Sequence, residues 1–347
     1  MRVLLGSAAA LIALSAGAAG LASRGLSYPA SHDDTPRLFV VARGESMHSV
    51  ARRLSDARLL PDSVLPSGRL LTLYARLSGA DRELKSGEFE LTASMTPIEM
   101  LQKIRAGDVM TVPVTLPDGL TLEEIADRVA AQRIAEREEL LRLALDPDFA
   151  RELGYPASSL EGYLFPETYR FARNTPAATV LRELTRQFDA VWTDADRTRL
   201  HASGFSLHEL VTLASIVEKE TGTPAERPRI AAVFLNRLKR GMRLQSDPTV
   251  IYGILRERGH FDGNLRRRDL EHDTPYNTYS RSGLPPGPIA STSLASIRAV
   301  LEPEPVAYLY FVSQNDGTHY FSKTLREHNN AVNRFQKRRR RRNQNES

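Results

Sequence analysis

Apolar positions recur along the chain at two periods, one of two residues and one of three to four. Leu38-Phe39-Val40-Val41 is a short β-rich run and predicts a strand. Arg43-Gly44-Glu45-Ser46 then predicts a turn, with Ser46 at the N-cap of a helix carrying Val50, Ala51 and Leu54 on its apolar side. Thr96-Pro97 opens a second helix with Met100, Leu101 and Ile104 inward, and Gly107 closes it. Val112–Leu116 predicts another strand, followed by helices over 121–131, 136–145 and 179–192. Ser206 with Glu209 three residues on is a capping box, and it starts a helix running to about Thr221. Tyr308–Val312, Gly317 and His319–Ser322 predict a hairpin, and a helix over 322–335 ends the folded part. Strand pairs and helix runs do not alternate regularly, which favours an α+β fold over a doubly wound sheet.

The first residues follow neither period. Val3 to Ala22 is an uncharged run rich in Leu and Ala. It has about the 20 residues that cross a hydrocarbon core, and it predicts either a retained single-pass anchor over 1–25 or a signal peptide cleaved near Ala18 to Ala22. Either outcome exports the bulk of the chain. Arg2 and Arg24 flank the run on both sides, so charge gives no orientation. Ser27 to Pro36 is a polar linker with two prolines.

The net charge of +5 has one source. Lys337 to Arg342 supply six cations, and Glu346 is the only acid after them. Without that segment 41 basic and 41 acidic residues remain, so the body has no bias toward nucleic acid. The tail at 337–347 supports at most salt-sensitive, non-specific contact with an acidic polymer or surface. The chain has no cysteine, which excludes disulfides, thiolate catalysis and cysteine-ligated zinc. No motif calls for a metal or a cofactor.

The candidate chemistry lies at the end of the helix opened by Ser206. His208, Thr212, Ser215 and Lys219 fall on one polar stripe. Glu218 lies off it, with Ala214, Val211 and Leu207 at helical steps behind it. A carboxyl on an apolar face is partly desolvated, which raises its pKa toward proton donation. Glu220 has equally apolar neighbours in Ile216, Val217 and Leu213, so periodicity does not choose between the two. The loop Leu160-Glu161-Gly162-Tyr163-Leu164-Phe165-Pro166-Glu167-Thr168-Tyr169 joins aromatic rings, which stack on sugars, to acids, which accept sugar hydroxyls. Tyr276-Asn277-Thr278-Tyr279 and Gly283-Leu284-Pro285-Pro286-Gly287-Pro288-Ile289 form a loop too rich in Pro and Gly for regular structure, of the kind that lines clefts. A weak internal echo sets Gly44, Val50, Ala51 and Leu54 beside Gly119, Ile125, Ala126 and Val129. Strand, glycine turn and short helix open the glycan-binding LysM βααβ module, and they also occur as a generic unit.

Taken in order, these segments resemble the YceG-like endolytic murein transglycosylases. The strongest are Leu160–Thr168, Ala214-Ser215-Ile216-Val217-Glu218-Lys219-Glu220-Thr221, and Arg243-Leu244-Gln245-Ser246-Asp247-Pro248-Thr249-Val250-Ile251-Tyr252-Gly253. The Tyr276–Tyr279 and Gly283–Ile289 loops and the ending from Tyr308 to Asn329 add to them, so the resemblance runs from about Leu38 to Phe335. It implies a LysM-like subdomain over 37–110 and a catalytic domain over 111–336, and it does not reach the basic tail. It implies that Glu218, the first glutamate of Glu-Lys-Glu, is catalytic, with Glu161, Gln245, Asp247, Asn277 and Tyr279 as candidates to hold the sugar. The implied reaction needs no cofactor or metal. It cleaves MurNAc–GlcNAc bonds of peptidoglycan with formation of 1,6-anhydro ends, outside the inner membrane and alongside peptidoglycan synthases. A two-carboxylate hydrolase and a non-catalytic glycan-binding scaffold are the rival readings.

Overall fold

The computed structural model describes residues 25–63 and 65–337. The expected anchor and nearly all of the basic tail lie outside these residues. Among the described residues no helix is long and apolar enough to cross a membrane. The chain forms two compact units. One ends at Val112 and takes in Arg170–Asn174, and the other comprises Pro113–Tyr169 and the chain from Thr175 onward.

In the first unit the order is β1 (Arg37–Val41), α1 (Met47–Asp56), α2 (Ser67–Ser78), β2 (Gly87–Leu91) and α3 (Pro97–Ala106). β1 pairs antiparallel with β2, with Phe39 opposite Phe89. The pleat sends Phe39, Val41, Phe89 and Leu91 inward, onto Val50 and Leu54 of α1, Leu71 of α2 and Met100 and Ile104 of α3. Each such side chain contributes roughly 1.5–3 kcal/mol when fully buried. The caps match expectation: Ser46 accepts from Ser49 N, Thr96 and Glu99 form a capping box, and Gly107 at φ 73° closes α3. The residue pattern by itself places neither α2 nor β2. Leucines point outward from α2 as well as inward, which blurs its period.

The second unit is mostly helical. From the division at Val112 the chain runs through β3 (Val112–Thr115), α4 (Leu122–Ala131), α5 (Arg137–Ala144), α6 (Pro147–Glu152), β4 (Thr168–Phe171), α7 (Ala177–Ala190) and α8 (Asp194–Ser203). It continues through α9 (Leu207–Glu220), α10 (Arg227–Lys239), α11 (Asp247–Arg258), α12 (Arg267–Glu271), α13 (Leu294–Leu301), β5 (Tyr310–Ser313), β6 (His319–Ser322) and α14 (Leu325–Val332). β3 pairs with β4, and β5 pairs antiparallel with β6 as the expected hairpin. The fold is α+β, with many helices and three small sheets among the described residues.

The centre of this unit is α9. Ser206 and Glu209 cap it reciprocally, and Leu210 through Glu218 are buried without a break. α10, α11 and α13 pack around it. The expected polar stripe is therefore a docking seam. Thr212 and Ser215 are buried, and Ser215 Oγ accepts from Ile289 N of the proline loop at 3.0 Å. His208 Nε2–H donates to Pro286 O at 2.8 Å, which leaves Nδ1 to accept from Tyr163 O–H, also at 2.8 Å. One ring thus ties the aromatic loop to the proline loop. Gly162 fits beneath that junction at φ 85°, where an added Cβ would lie 2.5 Å from Pro288 and 2.9 Å from Val211.

Candidate active site

Glu218 and Glu220 are two residues apart on α9 and so point about 200° apart around its axis. They enter opposite surroundings. Glu220 opens into a cleft of about 320 Å³ between α9, α10, the Gln245–Asp247 turn, Tyr279, the β5 strand and α14. The lining combines rings (Tyr279, Tyr310, Phe311, His328) with polar groups (Glu220, Arg237, Gln245, Asp247). That mixture suits a polar ligand with apolar C–H faces, such as a sugar ring.

Local structure fixes each group. Gln245 sits at φ 50°, a left-handed turn that ends the α10–α11 connection, and its N–H donates to Thr278 O. Ser246 is buried at the N-cap of α11, and its Oγ–H donates to Glu220 Oε1 at 2.6 Å. Asp247 opens α11, and Tyr279 O–H donates to its Oδ1 at 2.6 Å. Arg237 is a largely buried part of the cleft lining. It donates to Leu309 O and Leu244 O at 2.7 Å each and stacks its guanidinium on Tyr310. His328 stacks on the same ring, 5.2 Å from Tyr310.

The electrostatics follow from these contacts. Burial pushes the Glu220 carboxyl up to about 7, the Asp247 charge adds to the rise, and the Ser246 hydroxyl opposes it. A group titrating there is half protonated at neutral pH, the condition for giving and then taking a proton. Burial and the Arg237 charge hold His328 below its ordinary value, so its ring is neutral.

Glu218 faces the other way. Arg227 Nη2 donates to its Oε1 at 2.9 Å, and Ser293 N–H donates to Oε2 at 3.0 Å, joined by Ser293 Oγ–H. Burial pushes this carboxyl up, but the hydroxyl and N–H of Ser293, Ser296 and the Arg227 charge outweigh it. The net effect holds Glu218 below the usual glutamate range, the reverse of the expected rise. Its charge instead helps to raise the neighbouring Asp118 carboxyl, behind the larger effect of burial. Glu218 does not line the cleft that holds Gln245, Asp247 and Tyr279.

The YceG-like family profile matches residues 39–334. An endolytic murein transglycosylase of Bacillus subtilis is 31% identical over 92% of this chain and 90% of its own length. One from Streptococcus pneumoniae is 28% identical over 84% of this chain and 57% of its own length. The crystal structure of a putative YceG-like protein from Listeria monocytogenes has a TM-score of 0.58 and 34% identity, covering 86% of this chain and 99% of that one.

This chain belongs to the YceG-like family.

Two residues expected to hold the sugar do not line this cleft of the YceG-like chain. Glu161 is 1% exposed and does not line the cleft. Its Oε2 accepts from Leu122 N at the start of α4 and from Tyr252 O–H at 3.0 Å, and burial pushes it up to about 8. It therefore fastens α4 to α11. Asn277 is fully buried and shapes its own loop, donating to Leu270 O and His272 O and accepting from Tyr279 N. It places Tyr279 but does not reach the cleft itself. Ser246, Arg237, Tyr310 and His328 line or support the cleft without having been named as site residues. Arg237 carried a signal: it is a charge within the apolar run Ile230–Leu238.

Proposed function

We propose that this YceG-like chain is a lytic transglycosylase that cleaves peptidoglycan glycan strands with Glu220 as its single acid/base. One observation carries the choice of residue: Glu220 is a carboxyl poised near 7 in a polar, ring-lined cleft, whereas Glu218 is an ion-paired carboxylate turned away from it. In the proposed reaction the Glu220 O–H protonates the oxygen between MurNAc and GlcNAc. The resulting carboxylate then takes the proton from the C6 hydroxyl of the muramic sugar. That oxygen bonds to C1 as the glycosidic bond breaks, giving a 1,6-anhydro end without water. Tyr279, Tyr310 and Phe311 offer ring faces to the sugars. Asp247, held by Tyr279, stabilises positive charge developing at C1.

Asp247 also keeps a second reading open, because two carboxylates in one cleft are the equipment of a hydrolase. Digestion of purified glycan strands separates the two by product mass. Ends lighter by one water are expected; ends carrying the water would overturn the transglycosylase reading. Loss of cleavage in Glu220→Gln with cleavage kept in Glu218→Gln is the outcome expected for the residue assignment.

The first unit supports a LysM-like, glycan-binding role through its strand–helix–helix–strand order and its antiparallel β1–β2 pair. The apolar run over Val3–Ala22 supports a retained single-pass anchor with both units outside the membrane. That placement would bring the cleft to strands still being extended by peptidoglycan synthases.

A further inference from the structure

Exposed large apolar side chains are concentrated in the first unit. Of ten such residues among those described, eight belong to it: Tyr28, Leu38, Val40, Leu65, Leu73, Tyr74, Leu77 and Met110. Three of them lie on α2. Leu73, Tyr74 and Leu77 are 54%, 36% and 79% exposed, and with Leu70 they make an i, i+3, i+4, i+7 stripe. Leu71 and Ala75, on the adjoining side of the same helix, are fully buried. α2 is thus apolar over a wide arc, with only part of it in the core.

The rest of α2 narrows what could cover that outer face. The helix, SGRLLTLYARLS, contains no acid. Arg69 and Arg76 lie along one edge of the stripe, both are exposed, and neither makes an ion pair among the described residues. A leucine and tyrosine stripe edged by arginines is the composition of a helix lying in a lipid interface, with aliphatic groups among acyl chains and cations at anionic headgroups. The path of the chain agrees. A Cβ placed on Gly25 would lie 2.7 Å from Leu70 Cδ1, so the chain enters the unit against this same stripe, three residues after the apolar run that ends at Ala22.

We infer that the outer face of α2 (Leu70, Leu73, Tyr74 and Leu77, edged by Arg69 and Arg76) rests on an anionic lipid surface. This rests on the proposal that the N-terminal run is a retained anchor. The anchor alone would leave the first unit free to swivel, whereas a seated α2 adds a second attachment that fixes its orientation.

The absence of native cysteine allows a direct test in the full-length protein. Leu73→Cys, Leu77→Cys and, as a control on exposed α8, Ala195→Cys are each labelled with an environment-sensitive fluorophore. The proteins are reconstituted into vesicles of phosphatidylethanolamine and phosphatidylglycerol, with or without brominated acyl chains. The inference expects blue-shifted emission and at least twofold stronger quenching at 73 and 77 than at 195, weakened when phosphatidylglycerol is replaced by phosphatidylcholine. Failure of the protein to float with the vesicles overturns the anchor and the seated face together. Flotation with labels at 73 and 77 as water-exposed as the control overturns the seated face alone. Excimer emission from pyrene at position 77 would give the face to a second copy of the chain and equally overturn it.

Discussion

The two sides of the last turn of α9 present the same side chain in contrasting states. On one side Glu218 has a guanidinium, a backbone N–H and a hydroxyl on its oxygens, and it is held ionised. On the other, Glu220 has one hydroxyl donor and a nearby Asp247, and its carboxyl is raised to about 7. Burial pushes both upward, so burial alone does not make a catalytic acid. The number and charge of the donors decide the sign. A carboxylate saturated with donors anchors structure, whereas one left short of them exchanges protons.

The sharpest break of this contrast is a pair of isosteric substitutions. Glu220→Gln removes the proton that is transferred and should lower kcat by about 10²–10⁴-fold, measured on purified glycan strands, with little change in Tm. Glu218→Gln should do the reverse. Leaving the half-buried Arg227 without its counter-ion costs about 3 kcal/mol, readable in chemical denaturation, while activity per folded molecule stays within roughly tenfold. Exchanged outcomes would return the catalytic role to Glu218.

A structural substitution comes next. Gly162→Ala places a methyl group against Pro288 and Val211 at a left-handed position, and should cost upward of about 2 kcal/mol of stability. The pH dependence is subtler. Activity that needs protonated Glu220 should hold below about pH 7 and fall tenfold per unit above it in kcat/KM. Ser246→Ala removes a donor that favours the ionised form, so the alkaline limb should move to higher pH as kcat falls about tenfold. The smallest effect concerns Glu161. Its folded pKa of about 8 lies above its unfolded value, so its contribution is fully present in acid and lost as pH rises through 8. Glu161→Gln should therefore raise Tm by a few degrees at pH 9 and change it little at pH 5, followed by calorimetry.

The local grammar of the fold was legible where a cap or a clean period announced it. Ser206 with Glu209, the helix start at Thr96-Pro97 and the β5–β6 pair lie where the sequence places them. α2 escaped because its outer leucines break the one-sided pattern that periodicity assumes. The two glutamates could not be separated for a related reason. Counting apolar neighbours supposes one wet face, and α9 is enclosed over Leu210–Glu218, so every direction looks apolar. The resemblance points to Glu218 in the last turn of α9, and only the three-dimensional donors show how differently its two acids are held. Asn277 and Glu161 lie outside the cleft, and sequence does not foretell this, because a buried polar side chain that satisfies loop backbone or a helix start has the same sequence signature as one that meets a ligand.

The enclosure of α9 makes distance along it a matter of phase. Fourteen residues run from Leu207 to Glu220, clamped at the start by Ser206 and along the side by Ile289 on Ser215. One inserted residue anywhere between would turn the helix end by about 100° and point neither acid into the cleft. The helix therefore works as an indexing shaft: its caps set the zero, and its residue count sets where the acid points.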